Sequence, residues 1–362
     1  MTGTARVGTA RLDSIGLAVE TYVAGTGSAV PDRVVPNSEF SASLETSDEW
    51  IRERTGIRER RFAAAGERTS EYGARAARAA IADAGITPAE IGLIIVATTT
   101  PDMRFPATAN FVQRDIGASN AYAYDMSVAC SGFVFALAAA HAQIMSGMAD
   151  CALVIGADIY SSILDFSDRK TCVLFGDGAG AVILRKRTTP RIRLPAAPDL
   201  IDRLGQGVEQ PRGLLAMALH SDAGGADVLT CEGSGTAGRT TMQAAECGSI
   251  KMDGKAVFRF AVRTFGRMVE EVLDKAGFTI ADVACVIPHQ SNIRIVEKLA
   301  EEIGCGMDRM MMNLDKYGNT SAAAIAMALD EAIRTKRVGP GDLVLLAAVG
   351  AGFSSGAVLL RL

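Results

Sequence analysis

Several scarcities narrow what this 362-residue chain can be. Tryptophan occurs once and histidine three times, so each of these residues can be weighed singly. Cysteine occurs seven times, at positions 130, 151, 172, 231, 247, 285 and 305, and never as CxxC. An odd count without paired spacing argues against a disulfide framework or a zinc site and for a reducing, cytoplasmic setting. No apolar run reaches membrane-spanning length, so no membrane association is expected. Neither sign of charge dominates: 37 Lys+Arg face 41 Asp+Glu, a net charge of -4. That excludes a nucleic-acid footprint spread over the whole surface. Residues 1–18 are small and polar at first, without the apolar segment of a secretory signal, and read as a loosely held leader.

What is present is ordinary globular material, 49% hydrophobic and 22% charged. The length suffices for one large core or for two similar halves that share one. The chemistry concentrates at residues 124–133 (YDMSVACSGF), an apolar strand ending at Cys130. A small-residue, Ala-rich helix is expected from Ser131 to about Ser146. A thiol at a helix N-terminus is favoured as the reactive thiolate by the dipole and the free N–H groups. The competing reading is a buried, inert cysteine serving as a small hydrophobe.

Along the chain, residues 21–30 (TYVAGTGSAV) read as a first strand. Thr46 with Glu49 three residues later is a capping-box pattern opening a short helix. That helix carries Trp50 and leads into Arg52, Arg54, Arg58, Arg60 and Arg61, which suits either a packed basic face or a nucleobase and phosphate site. Residues 69–84 read as an Ala-rich amphipathic helix. Residues 91–98 and 151–157 are continuous apolar runs of strand length, as in strands covered on both faces. The glycine cluster at 175–181 (FGDGAGA) lacks the Lys-Ser/Thr of a P-loop and opens a strand, so close backbone packing is the better reading. From Arg185 to about Arg212 the chain is rich in Pro and Arg and reads as a connection between halves. Beyond it come strands at 214–219, 283–287, 343–349 and 356–362, and helices at 256–276, 291–303 and 321–334.

The halves echo each other. Residues 83–95 (DAGITPAEIGLII) parallel residues 275–287 (KAGFTIADVACVI), and the turn and Ala-rich helix at Cys130 parallel those at Asn319 and Thr320. The alternation of helices and buried strands predicts an α/β fold with mostly parallel sheets, built from a duplicated half. A pseudo-twofold would bring corresponding strand ends together, where α/β proteins place ligands. His289 ends a buried strand, whereas His141 and His220 read as packed or surface residues. A cysteine nucleophile with His289 and Asn319 as hydrogen-bond donors to a developing enolate is nucleophilic catalysis with preorganised electrostatic stabilisation. The loop at residues 350–352 is suited to presenting a backbone N–H to an oxyanion.

With GTGSAVP, TSDEWIRERTGIRER, VACSGF, FGDGAGA, HQSN, KYGNTSAA and GAGFSSG in order, the chain resembles the β-ketoacyl-acyl-carrier-protein synthase III family of the thiolase superfamily, from Tyr22 to Leu362. The resemblance implies a five-layered α-β-α-β-α fold with two pseudo-twofold-related halves, at 19–186 and 213–362, joined through 187–212. It implies a homodimer without cofactor or metal, whose substrates are acyl-CoA and malonyl-acyl carrier protein. The implied reaction is acyl transfer from CoA to Cys130, followed by decarboxylative Claisen condensation. By position, Cys130 is the nucleophile and His289 and Asn319 stabilise the charge formed as CO2 leaves. The N–H groups of Cys130 and Ala351 form the oxyanion hole. Trp50 and Arg169 would stack on the CoA adenine, with Arg54 at its phosphates. Thr46, Met252, Gly254, Phe258 and Asn292 would line the pantetheine channel, and Phe105 would cross a dimer interface. Arg259 and Arg294 fit a basic patch for an acidic carrier protein.

Lys255 in the channel, Val349 before the glycine loop, and Tyr160 and Ser161 at the acyl-pocket boundary depart from the commonest family pattern. Three alternatives stay open on the residues alone. One is transfer of the acyl group to a hydroxyl or amine, which would need a base but not the enolate-stabilising pair. Another is a non-catalytic partner subunit, which the intact trio speaks against. A hydroxymethylglutaryl-CoA synthase is weaker still, since no glutamate base stands out.

Overall fold

The computed structural model describes residues 15–192, 212–231 and 248–362. Two mixed sheets form its frame. The first holds β1 (Ile15–Ala29), β2 (Leu93–Ala97), β3 (Tyr122–Met126), β4 (Cys151–Ile159) and β5 (Asp177–Ile192), ordered β1-β5-β4-β2-β3. The second holds β6 (Gly213–Ser221), β7 (Cys285–Pro288), β8 (Leu343–Gly350) and β9 (Ser354–Arg361), ordered β7-β8-β9-β6. The repeat is visible in the pairing. In each half the first strand lies antiparallel to the last, the last lies antiparallel to its predecessor, and a parallel partner follows. The parallel neighbour β3 in the first half is answered by a single Val286–Met310 bridge in the second.

The expectation of mostly parallel sheets is therefore corrected to mixed ones. Long strands that return by a tight turn pair antiparallel, as β8 and β9 do across residues 351–353. The first strand begins at Ile15, ahead of the expected Thr21, and its pairing with β5 extends to Ile192. The expected leader (1–18) and connection (187–212) lie largely outside the described residues, and their described ends, 15–18 and 187–192, are strand.

Helices fill the layers as the apolar periodicity directs. α1 (Asp48–Thr55) lies at the edge, while α2 (Thr69–Ala84) and α3 (Thr108–Ile116) cover the outer face of the first sheet. α4 (Gly132–Met145) follows Cys130 into the space between the sheets. α5 (Gly254–Ala276) and α6 (Ile293–Glu302) cover the outer face of the second sheet, and α7 (Ala323–Arg334) joins α4 in the middle. The central pair is Ala-rich because small side chains let two helices fit between two sheets at native packing density. The echoed segments fold alike: Thr87–Glu90 and Thr279–Asp282 both close capping boxes, after Gly85 and Gly277 at positive φ. The glycine cluster is close packing, as its sequence suggests. A Cβ at Gly176, Gly178 or Gly180 would collide with Tyr317, Met327 or Ala326.

The halves meet at Gly156 on β4, where a Cβ would collide with the Ala322 carbonyl oxygen at the head of α7. Gly156→Val should destabilise the protein by about 3 kcal/mol through overpacking. Differential scanning fluorimetry should show a lowered thermal midpoint, and an unchanged midpoint would mean that this seam opens freely.

Candidate active site

Three turns converge on one cavity of about 670 Å³, lined by Cys130, His289 and Asn319. Cys130 sits in the turn Ala129–Ser131 between β3 and α4. Ala129 is held at φ 45, a left-handed conformation costing an L-residue about 1–2 kcal/mol. Asn319 stands in the corresponding turn before α7, where Ser321 has φ 52. The two halves thus present their chemistry from the same kind of forced turn. His289 follows β7, its N–H donating to Ala347 O at 2.8 Å and its carbonyl accepting from Ser291 N at 3.0 Å. Gln290 holds the loop from below, donating to Pro288 O and Met311 O and accepting from Asn313 N.

The electrostatics follow from burial. Desolvation pushes the Cys130 thiol up to about 12, with the Ser321 side chain drawing it the other way. Burial thus works against the thiolate that the helix N-terminus was expected to favour. Burial also lowers the His289 imidazole to about 4, so it is neutral at pH 7 and keeps one N–H donor. Its Nδ1 has no hydrogen-bond partner among the described residues. Asn319 Oδ1 accepts from Ser321 N at 2.9 Å, which leaves the amide NH2 for a ligand. The end of β8 presses on the nucleophile's turn: a Cβ at Gly350 would lie 3.1 Å from Cys130 N and 2.9 Å from Ser131 N. Ala351 follows in the β8–β9 turn, its carbonyl accepting from Ser354 Oγ at 2.9 Å.

Of the remaining expected residues, Arg54, Met252, Gly254, Phe258 and Asn292 line the cavity with the trio, as do Arg259, Arg294, Lys255 and Val349. Asn292 caps α6 and donates from Nδ2 to Arg54 O, while Arg294 Nε donates to Glu53 O, so α1 and α6 are tied across the mouth. Two guanidinium groups stand over the Trp50 ring, Arg169 at 5.0 Å and Arg54 at 5.7 Å from its centroid. Arg169 also donates to Glu45 O. Thr46 is not the N-cap of α1. Ser47 is, accepting from Trp50 N at 3.0 Å, and the Thr46 hydroxyl is buried without a partner among the described residues. Phe105 stands apart from the cavity, 83% exposed. His141 bonds Thr21 and His220 bonds Glu271, both outside the site.

Sequence reasoning missed the polar support beneath the trio. Asp158, buried at the end of β4, accepts from Thr98, Thr99 and Thr100 in the first half and from Ala322 N in the second. Ser321 Oγ meets Tyr160 OH at 2.9 Å. No periodicity marks these residues; an unexplained carboxylate in a fully apolar strand was the one signal present. Among the described residues, no cluster of metal-ligand type is present and no helix is long and apolar enough to cross a membrane.

Comparisons with known proteins identify the family and the fold. The family model "3-Oxoacyl-[acyl-carrier-protein (ACP)] synthase III" matches residues 124–197, and that of its C-terminal part matches residues 273–362. The chain is 45% identical to the β-ketoacyl-[acyl-carrier-protein] synthase III of Dinoroseobacter shibae, covering 94% of this chain and 98% of the relative. It is 44% identical to that of Ruegeria pomeroyi over 95% and 100%. Among solved structures, the 3-oxoacyl-[acyl-carrier-protein] synthase III of Aquifex aeolicus superposes with a TM-score of 0.83 at 41% identity, covering 94% of this chain and 100% of that one. The priming β-ketosynthase of the R1128 polyketide pathway gives 0.84 at 32%, over 95% and 96%.

The buried imidazole has a consequence for acid stability. The unfolded chain takes up a proton at His289 near its ordinary 6.5, whereas the folded chain resists until about 4. Stability from this residue is thus complete above pH 6.5 and is lost as pH falls through 4, by about 3 kcal/mol. His289→Asn should lose less thermal stability than the parent between pH 7 and pH 4; identical acid limbs would contradict a buried neutral imidazole.

Proposed function

Because the chain belongs to the β-ketoacyl-acyl-carrier-protein synthase III family of condensing enzymes, we propose that Cys130, His289 and Asn319 carry a two-stage reaction on acyl-CoA and malonyl-acyl carrier protein. The observation that carries this reading is their convergence on one cavity, with Cys130 supplied by one half and two neutral donors by the other. In the first stage the Cys130 sulfur attacks the thioester carbonyl. The N–H groups of Cys130 and Ala351 hold the oxyanion, and CoA leaves as its thiol with the proton that Cys130 gives up. In the second stage malonyl loses CO2, and His289 with the Asn319 amide stabilises the enolate oxygen. The enolate carbon attacks the acyl-Cys130 carbonyl, and the freed sulfur takes up a proton to regenerate the thiol.

The cavity wall supports substrates of this kind. The cations Arg54, Lys255, Arg259 and Arg294 line it, and no Asp or Glu stands among its described lining residues. A carboxylate base, which hydroxymethylglutaryl-CoA chemistry or activation of an alcohol would call for, is therefore not among them. We assign Trp50, Arg169 and Arg54 to the nucleotide end of CoA. Adenine binding there displaces Arg169 from its contact with the indole. Thr46, with its unpartnered hydroxyl, joins Met252, Gly254, Phe258 and Asn292 along the pantetheine arm. Arg259 and Arg294 would meet the acidic carrier protein. The exposed Phe105 and the free edge of β3 suit a homodimer in which Phe105 enters the partner's acyl pocket.

Separating the two stages tests the assignment. Cys130→Ala should abolish the acyl-enzyme adduct. His289→Ala and Asn319→Ala should still form the adduct from acyl-CoA but lose malonyl decarboxylation by about a thousandfold. Condensation retained in any of the three, measured by product mass, would sink these roles. Phe105→Asp should shift the protein from dimer to monomer by light scattering, and a dimer that persists would place the interface elsewhere.

A further inference from the structure

A second cleft opens on the outer face of the second sheet. It measures about 340 Å³ and shares no lining residue with the cavity at Cys130. One wall is α5, which brings Phe260, Arg263, Thr264, Arg267, Met268 and Glu271 to it at the spacing of a single helix face. The floor is β9. Ser355 shares the outer face of that strand with Ala357 and Leu359, which pack beneath α5. His220 on β6 stands opposite Ser355 in register, and Asp222 lies just beyond the end of β6.

The polar groups of this cleft are unequally satisfied. Glu271 is engaged twice, by His220 Nε2 at 2.6 Å and by Lys275 Nζ at 2.7 Å. Asp222 and Arg263 approach only to 4.0 Å, with both side chains well exposed. Arg267, one turn further along α5, has no hydrogen bond or ion pair among the described residues. Ser355 is wholly buried, and its hydroxyl has no hydrogen-bond partner among the described residues. A buried hydroxyl left unpaired costs free energy and is uncommon in native proteins. Charges that merely solvate a helix need no such hydroxyl beneath them.

A tetrahedral anion answers all three groups. A phosphomonoester carries three acceptor oxygens and nearly two charges at neutral pH. Two guanidinium forks suit phosphate oxygens, and the Ser355 hydroxyl can donate to another. Phe260 and Met268 offer apolar surface for a small organic body. The cleft also touches the turn after β8. Asp222 N donates to Phe353 O at 2.9 Å, and Phe353 N donates to Asp222 O at 2.8 Å. The Phe353 ring is stacked on Phe260, with centroids 4.1 Å apart and planes at 13°. Phe353 stands two residues after Ala351. An anion that draws Arg263 from Asp222 therefore acts at the far end of that turn.

We propose that this cleft is a second ligand site, for a small phosphomonoester held by Arg263, Arg267 and Ser355, and that its occupancy is transmitted to the turn bearing Ala351. The transmission rests on the function proposed above; the site does not.

The test is isothermal titration calorimetry of the full-length protein with ribose 5-phosphate, inorganic phosphate and succinate. Ribose 5-phosphate should bind more tightly than inorganic phosphate, and succinate should bind least. Arg267→Ala should weaken ribose 5-phosphate by about tenfold, and Ser355→Ala by a smaller factor. Neither side chain is bonded in the protein as it stands, so neither variant should lose thermal stability. Arg54→Ala, which damages the proposed CoA phosphate site, should leave the affinity unchanged. An affinity lost in Arg54→Ala but kept in Arg267→Ala overturns the site, as does no binding or an equal preference for succinate. Acylation of Cys130 at saturating acetyl-CoA, read by intact-protein mass, should slow about fivefold with ribose 5-phosphate in the wild type and not in Arg267→Ala. A rate indifferent to the bound probe overturns the transmission alone. No acylation even without the probe overturns the proposed function, and the transmission with it, while the calorimetry still decides the site.

Discussion

The structure hangs on the seam where Asp158 of one half receives the Ala322 N–H of the other. A buried carboxylate is costly unless its lone pairs are filled. In this seam they are filled by three consecutive threonines and by the first residues of α7's approach. Gly156, two residues before Asp158 on β4, lets the Ala322 carbonyl approach the strand backbone directly. Together these contacts fix the Asn319 turn against the Cys130 turn. Neither half holds the whole trio, because Cys130 follows β3 while His289 follows β7 and Asn319 precedes α7. The seam is thus the means by which a duplicated fold acquires one reaction centre.

Burial sets the chemistry of that centre. The thiol is raised and the imidazole lowered by the same desolvation, so the resting trio carries no net charge. On the proposed mechanism, charge appears on substrate oxygens as bonds change, facing donors already in place. Buried donors of this kind act at lower effective dielectric than water and need no reorganisation. The cost is a cysteine that is sluggish until a thioester arrives, and a protein that loses stability in acid as His289 is forced to protonate.

Much of this was legible in the sequence. The apolar runs marked the central strands, the Ala-rich stretches marked α4 and α7, and the echo between residues 83–95 and 275–287 marked the duplicated halves. The motifs around Cys130, His289 and Asn319 pointed to residues that line one cavity, because each lies where a strand passes into a turn. What was not legible depended on contacts between distant residues. The mixed pairing of the sheets follows from how strands return, not from their apolar content. Thr46 and Ser47 both fit an N-cap, and local backbone geometry chose the serine. Burial opposes the thiolate expected at Cys130, and a helix N-terminus can be read from spacing whereas burial cannot. Asp158 belongs to no quoted motif, and nothing in KYGNTSAA says that Ser321 bonds Tyr160, so their support of the site is visible only in three dimensions.

One cavity, built from both halves, takes an acyl group onto Cys130 and passes it to a malonyl carbon: on that proposal the roles of all the other site residues depend. Intact-protein mass spectrometry probes it without intermediaries, with the protein charged by acetyl-CoA and then chased with malonyl-acyl carrier protein. The expected result is an acetyl adduct on Cys130 that disappears as β-ketoacyl-acyl carrier protein and CO2 form. An adduct that persists under malonyl-acyl carrier protein and discharges instead onto an added alcohol or amine would contradict it.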